Sequence, residues 1–207
     1  MEQQELKIHK IINKLYEQIY LGYRSFWIAK YINQSHNDKK INCAYHFFEG
    51  TYSSCLENSF LALSRILLKD ERGKPVNIWY LLNCLQSSPD IFNNIPSNIV
   101  LKSVSQHLER LEGIDSTIKK IEEQRHSTIA HLDKSHINKP QAIYQQTPLE
   151  ENEIERAYEL SLDILNTYTA FYQQASDISH LLEVLRKGIA DDLDYVIKLI
   201  ETDNKRP

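Results

Sequence analysis

The sequence predicts an all-α protein, an antiparallel helical bundle with extra short helices at its C-terminal end. Three observations carry this. Apolar residues recur at steps of three and four along most of the chain, no useful run alternates with a period of two, and turn signals gather in a few places. At 207 residues the chain is long enough to bury a core without metals or disulfides. It reads as one domain over 1–207, with 177–207 as a short helical C-terminal extension.

Each element has its own warrant. Ile8, Ile12, Leu15, Ile19, Tyr23 and Phe26 form one stripe of a long first helix, and Tyr16, Tyr20, Tyr23, Trp27 and Tyr31 run beside it. Aromatic residues at helical spacing belong to a core or a subunit interface far more often than to a base-stacking surface. A polar break at Gln34 to Lys40 precedes a second helix over about 42–69, with Tyr52, Leu56, Phe60, Leu63 and Leu67 on one face. Asp70 to Pro75, D-E-R-G-K-P, stops it. A short helix over 77–86 follows, and Ser97 stands where the N-cap of the next helix belongs. That helix has Val100, Val104, Leu108, Leu111, Ile114, Ile118 and Ile121 as its stripe, with Gly113 as a weak point. After the turn-rich stretch Ser135 to Gln146, Thr147 and Pro148 with Glu150 and Glu151 read as a cap, a first-position proline and an acidic first turn. Ile154, Tyr158, Leu162, Leu165 and Tyr172 make the face of the helix that follows. Two short helices, near 177–187 and 191–201, complete the chain.

Composition narrows the function classes. The net charge is −4, which argues against general affinity for nucleic acid while leaving room for a local basic site. No uninterrupted apolar run is long enough to span a membrane, and Met1 to Lys10 is too polar for a signal peptide. Cys43, Cys55 and Cys84 are odd in number and widely spaced, as expected of reduced thiols in a cytoplasmic protein. No glycine-rich phosphate loop is present. His126, His131 and His136 stand five apart, about 140° per helical step, so they do not gather as metal ligands would. No metal and no cofactor is expected.

The chemistry-bearing stretch is E-E-Q-R-H-S-T-I-A-H-L-D-K, Glu122 to Lys134. Continuing the stripe of Ile114, Ile118 and Ile121 by four residues lands on Arg125. A charge placed there needs a carboxylate, carbonyl oxygens or an incoming anion. Glu122, one turn earlier, is the candidate for a purely structural bridge. His131 lies six residues after Arg125, about 240° around an ideal helix. The two can meet on one anion only if the helix ends between them or if two subunits share the site. A cation that binds phosphate and a group that moves protons near neutral pH are the minimum equipment for cleaving a phosphodiester.

R-H-S-T-I-A-H, an arginine followed by a polar residue and then a histidine, resembles the signature of HEPN domains. A-H-L-D-K and the upstream L-S-R-I-L-L-K-D look like the subgroup found among phage abortive-infection (Abi) proteins. The resemblance extends loosely over 16–172. It implies a HEPN-like bundle and a metal-independent endoribonuclease of a phage-defence or toxin-antitoxin system, a homodimer whose motifs face each other. In the implied reaction the ribose 2′-hydroxyl attacks phosphorus and leaves a 2′,3′-cyclic phosphate. Arg125 would stabilise phosphoryl charge, His131 would act as general base or acid, and His126 would support them, with Glu122 and Asp133 nearby. RNA is the implied substrate, and an antitoxin, of nucleotidyltransferase type or other, is an allowed partner. Many relatives carry a tyrosine two residues after the histidine as the site such a partner modifies; here that position is Asp133. The alternative is a non-catalytic helical module that binds a partner protein.

Overall fold

The computed structural model describes residues 2–37, 44–69, 76–130, 149–172 and 178–203, and the side chains of all these except 2–4, 37, 126–130, 178–182, 201 and 203. The protein is all-α. Among the described residues there are seven α-helices: α1 (Glu2–Asn37), α2 (Tyr45–Leu67), α3 (Ile78–Ser87), α4 (Ser97–Glu112), α5 (Asp115–Ala130), α6 (Glu151–Phe171) and α7 (Ile178–Asp203). A 3-10 turn, Pro89–Ile91, follows α3. The turn-rich stretch 135–146 and the residues Thr147 and Pro148 lie outside the described residues.

The chain divides into two compact units, residues 1–19 with 60–176, and residues 20–59 with 177–207. In the first unit, Ile8, Ile12, Leu15 and Ile19 are all buried, as the stripe requires, and so are Phe60, Leu63 and Leu67. Helix α4 packs on α3 and on α6, and α5 packs on α6. Two side chains tie the start of α3 to the end of α2. Asn77 caps α3 by accepting the Tyr80 backbone N–H at 2.8 Å, and its Nδ2 donates to the Leu68 carbonyl at 2.7 Å. Beside it the Trp79 Nε1–H donates to the Leu67 carbonyl at 2.6 Å. Both helix-end carbonyls are thereby satisfied where water cannot reach them.

In the second unit Ile32, Phe48 and Ile197 form a small core, flanked by Ile28, Tyr31, Tyr52 and Ile200. The aromatic row of α1 is packed rather than displayed. Tyr23 and Phe26 are buried, and Arg186 of α7 lies 5.2 Å from the Tyr23 ring centroid and 4.6 Å from that of Trp27. Lys30 stacks on the same indole at 4.6 Å. Tyr31 donates a hydrogen bond to Asp194. Of this row Tyr20 alone is exposed.

The structure departs from the sequence reading at several boundaries. Helix α1 runs on through Gln34, Ser35 and His36, with Gln34 and His36 exposed and Ser35 buried beside Ile32 on the inner side. The long fourth helix is two, α4 and α5, separated at Gly113 and Ile114. Pro96, not Ser97, occupies the N-cap position of α4, without a side-chain cap. Glu150 caps α6: its side chain accepts from the Glu153 N–H while Glu153 reaches back to the Glu150 N–H at 2.9 Å. The C-terminal segment is one helix that continues through Gly188, since a single glycine costs a helix only about 1 kcal/mol.

Candidate functional site

Helix α5 carries the arginine of the motif. On its inward face Ile118 and Ile121 are buried, and so are Thr117 and, at 2% exposure, Gln124. The residue four beyond Ile121 is therefore not the deepest one. The stripe drifts, Gln124 takes the inner position, and Arg125 sits half-buried at its edge. A guanidinium at that boundary keeps part of its hydration, so its desolvation cost is far below that of a core charge, and an anion can still reach it.

Glu122 is exposed on the same helix. His126 is part of α5 by its backbone, while its side chain is among those not described. His131 and Asp133 lie outside the described residues. The structure thus locates Arg125 and Glu122, and it neither brings Arg125 and His131 together nor separates them.

An anchor the sequence reading missed lies five residues before Arg125. Lys120 Nζ stands 2.7 Å and 2.9 Å from the two carboxylate oxygens of Glu153, in the first turn of α6. Burial pushes the Glu153 carboxyl up, but the Lys120 hydrogen bond, the Glu150 backbone N–H and the Lys120 charge more than offset this. The net effect holds it below the usual range. The pair ties the helix bearing Arg125 to α6. Glu153 also stands at the third position after the cap Glu150, where a glutamate closes a capping box.

A second unforeseen pair is buried between α4 and α6. His107 Nδ1 lies 2.9 Å from the Tyr168 hydroxyl. Burial, then the nearby Arg110 charge, depress the His107 pKa against the opposing pull of Asp163, so the imidazole is neutral at pH 7. Arg110 and Asp163 themselves form an ion pair at the rim. This pair is packing, since Phe92 and Phe171 also close on Tyr168. Among the described residues no group of three or more His, Cys, Asp or Glu side chains could hold a metal ion, and no helix is long and apolar enough to cross a membrane.

A family model, HEPN_AbiU2 (AbiU2), matches residues 5–193. The chain belongs to that family, a HEPN-type abortive-infection family. No curated protein and no solved structure matches it.

Proposed function

We propose that the protein is a metal-independent endoribonuclease acting in the cytoplasm as part of a phage-defence or toxin-antitoxin system. The observation that carries this reading is the R-H-S-T-I-A-H motif in a chain of the HEPN_AbiU2 family, with Arg125 half-buried at the edge of α5. In the reaction the ribose 2′-oxygen forms a bond to the adjacent phosphorus and the P–O5′ bond breaks. The 2′-hydroxyl proton passes to a base, and the departing 5′-oxygen takes a proton. Arg125 binds the phosphoryl oxygens, whose charge grows in the transition state. His131 moves a proton, as base or acid, and His126, Glu122 and Asp133 support the pair. The 2′-hydroxyl requirement confines the reaction to RNA.

A homodimer with its two motifs facing each other supplies a composite site, since about 240° separates Arg125 from His131 on one ideal helix. Arg125 is only partly buried, which supports such a shared site. An antitoxin, of nucleotidyltransferase type or another, is the partner that would restrain the enzyme.

The test is incubation of the purified chain with total RNA in the presence of a chelator, with mapping of new 5′-hydroxyl ends. Cleavage by wild type that disappears in Arg125→Ala and in His131→Ala, both folded, is the expected result. A wild-type chain that leaves RNA intact in chelator, alone and freed of any bound partner, would instead select a non-catalytic module that binds another protein.

A further inference from the structure

In the first unit, α1, α3 and the 3-10 turn that follows α3 line an open cavity of about 360 Å³, within the range of small-molecule sites. It shares no lining residue with the Arg125 motif. The buried Ile8 and Ile91 line it. Lys7, Tyr80, Asn83, Cys84, Ser87 and Ser88 line it too and bring polar groups. Among the described residues that line it, Lys7 carries the formal charge and none is a carboxylate.

The polar groups differ in what they can give. The Lys7 ammonium is held at the cavity by Tyr80, with Nζ 5.3 Å from the ring centroid. A hydrogen bond with Tyr80 favours its charged form. The Ser88 side chain makes no capping hydrogen bond, and a serine hydroxyl can both donate and accept. Ser87 already donates to the Asn83 carbonyl at 2.8 Å, so toward the cavity its oxygen is an acceptor. The Asn83 side chain brings both an amide donor and a carbonyl acceptor. One cation with neighbouring neutral donors suits a phosphate group, whose tetrahedral oxygens accept from several directions; lysine serves such a group as a point charge. The acceptors beside them suit ligand hydroxyls, and Ile8 and Ile91 offer apolar contact.

We propose that this cavity binds a small phosphorylated hydroxy compound, of the size and chemistry of a sugar phosphate, through Lys7, Asn83 and Ser88 on the phosphate and Ser87 on a ligand hydroxyl. Lys7 is the principal determinant. The site is independent of RNA cleavage, so it stands or falls separately from the nuclease reading.

Titration calorimetry of the full chain with ribose 5-phosphate at constant ionic strength tests this. Saturable one-site binding is expected, with affinity falling by about tenfold or more in Lys7→Gln, equivalent to about 1.4 kcal/mol, and by less in Lys7→Arg. Ribose without its phosphate should bind much more weakly. Lys7 is exposed, so its replacement should leave folding intact. Circular dichroism checks that, and Asn83→Ala, also at an exposed position, provides a second variant with the same expected direction. Absence of saturable binding at about 10 mM, or an affinity unchanged in both folded variants, overturns the proposal. So does binding abolished by Arg125→Ala and retained in Lys7→Gln, which would place the phosphate at the motif instead.

Discussion

Lys120 of α5 grips both carboxylate oxygens of Glu153 in α6, at 2.7 Å and 2.9 Å, with side-chain exposures of 32% and 21%. The same carboxylate closes the helix cap by accepting the Glu150 N–H. One side chain thus starts α6 and binds it to the helix that carries Arg125. Replacing Lys120 by Met leaves Glu153 charged and without its ammonium partner, and should destabilise the fold by about 1 kcal/mol, given that the pair is only partly shielded. Glu153→Gln keeps the reach-back to the cap while removing the charge, so the Lys120→Met, Glu153→Gln double variant should be less destabilised than the sum of the two single variants. Urea unfolding of the four proteins measures this coupling. Strict additivity would show that the contact contributes nothing to stability.

The pH dependence of that contact follows from its sign. Glu153 has its folded-state pKa held below the ordinary value near 4.5, so the unfolded chain binds the proton first. Its contribution to stability is present above that ordinary value and is lost as pH falls through the folded pKa. His107 acts in the same direction at a higher pH. Its pKa is depressed below 6.5, so its contribution is complete above 6.5 and declines as pH falls through the folded value. Melting curves of wild type and His107→Gln between about pH 5 and 8 should show wild type losing more stability toward the acid end. Parallel curves would mean that His107 does not titrate differently in the folded protein.

Tyr168→Phe probes the same pair by removing one hydroxyl. The ring remains packed against Phe92 and Phe171, but His107 Nδ1 loses its 2.9 Å partner in a buried setting. The expected cost is about 1 to 3 kcal/mol, the penalty of a buried polar group left unsatisfied. A loss near zero would indicate that a water replaces the hydroxyl.

Gly188→Ala should stabilise the protein. Gly188 lies inside α7, and a methyl group added there meets nothing within 4 Å. An alanine in a helix interior restricts the unfolded chain more than glycine does, a gain of about 0.5 to 1 kcal/mol. Thermal melting of the variant should move upward by a few degrees, and a lower midpoint would argue that α7 is not helical through that position.

For the proposed ribonuclease, Arg125→Lys retains a charge but loses the planar fork that can hold two phosphate oxygens, so cleavage should remain strongly impaired. His131→Ala should lower the rate by on the order of a hundredfold or more. Because an unperturbed histidine titrates near about 6.5 while arginine stays charged, the wild-type rate should change between roughly pH 5 and 8. A His131→Ala protein that cleaves like wild type across this range removes His131 from the reaction.

The helix content was written in the sequence because helical periodicity is local. Ile8, Ile12, Leu15 and Ile19 specify a buried face without reference to any other segment, and the structure buries all four. The motif was legible for the same reason: Arg125 and its neighbours are contiguous. Tertiary structure decided what depends on long-range pairing. Whether Gln124 or Arg125 takes the inner position depends on how α5 drifts against its neighbours, since 3.6 residues per turn fits no integer repeat. Glu153 was legible as part of an acidic helix start, and its pairing with Lys120 across 33 residues of sequence was not. His107 carried no sequence signal at all, because a histidine becomes a buried hydrogen-bonding group only when a distant Tyr168 is packed against it. The single helix α7 is a further case: Gly188 is a weak local break, and the helix runs on through it. Local spacing determines which residues want to be buried; packing between segments determines which of them are, and what they meet there.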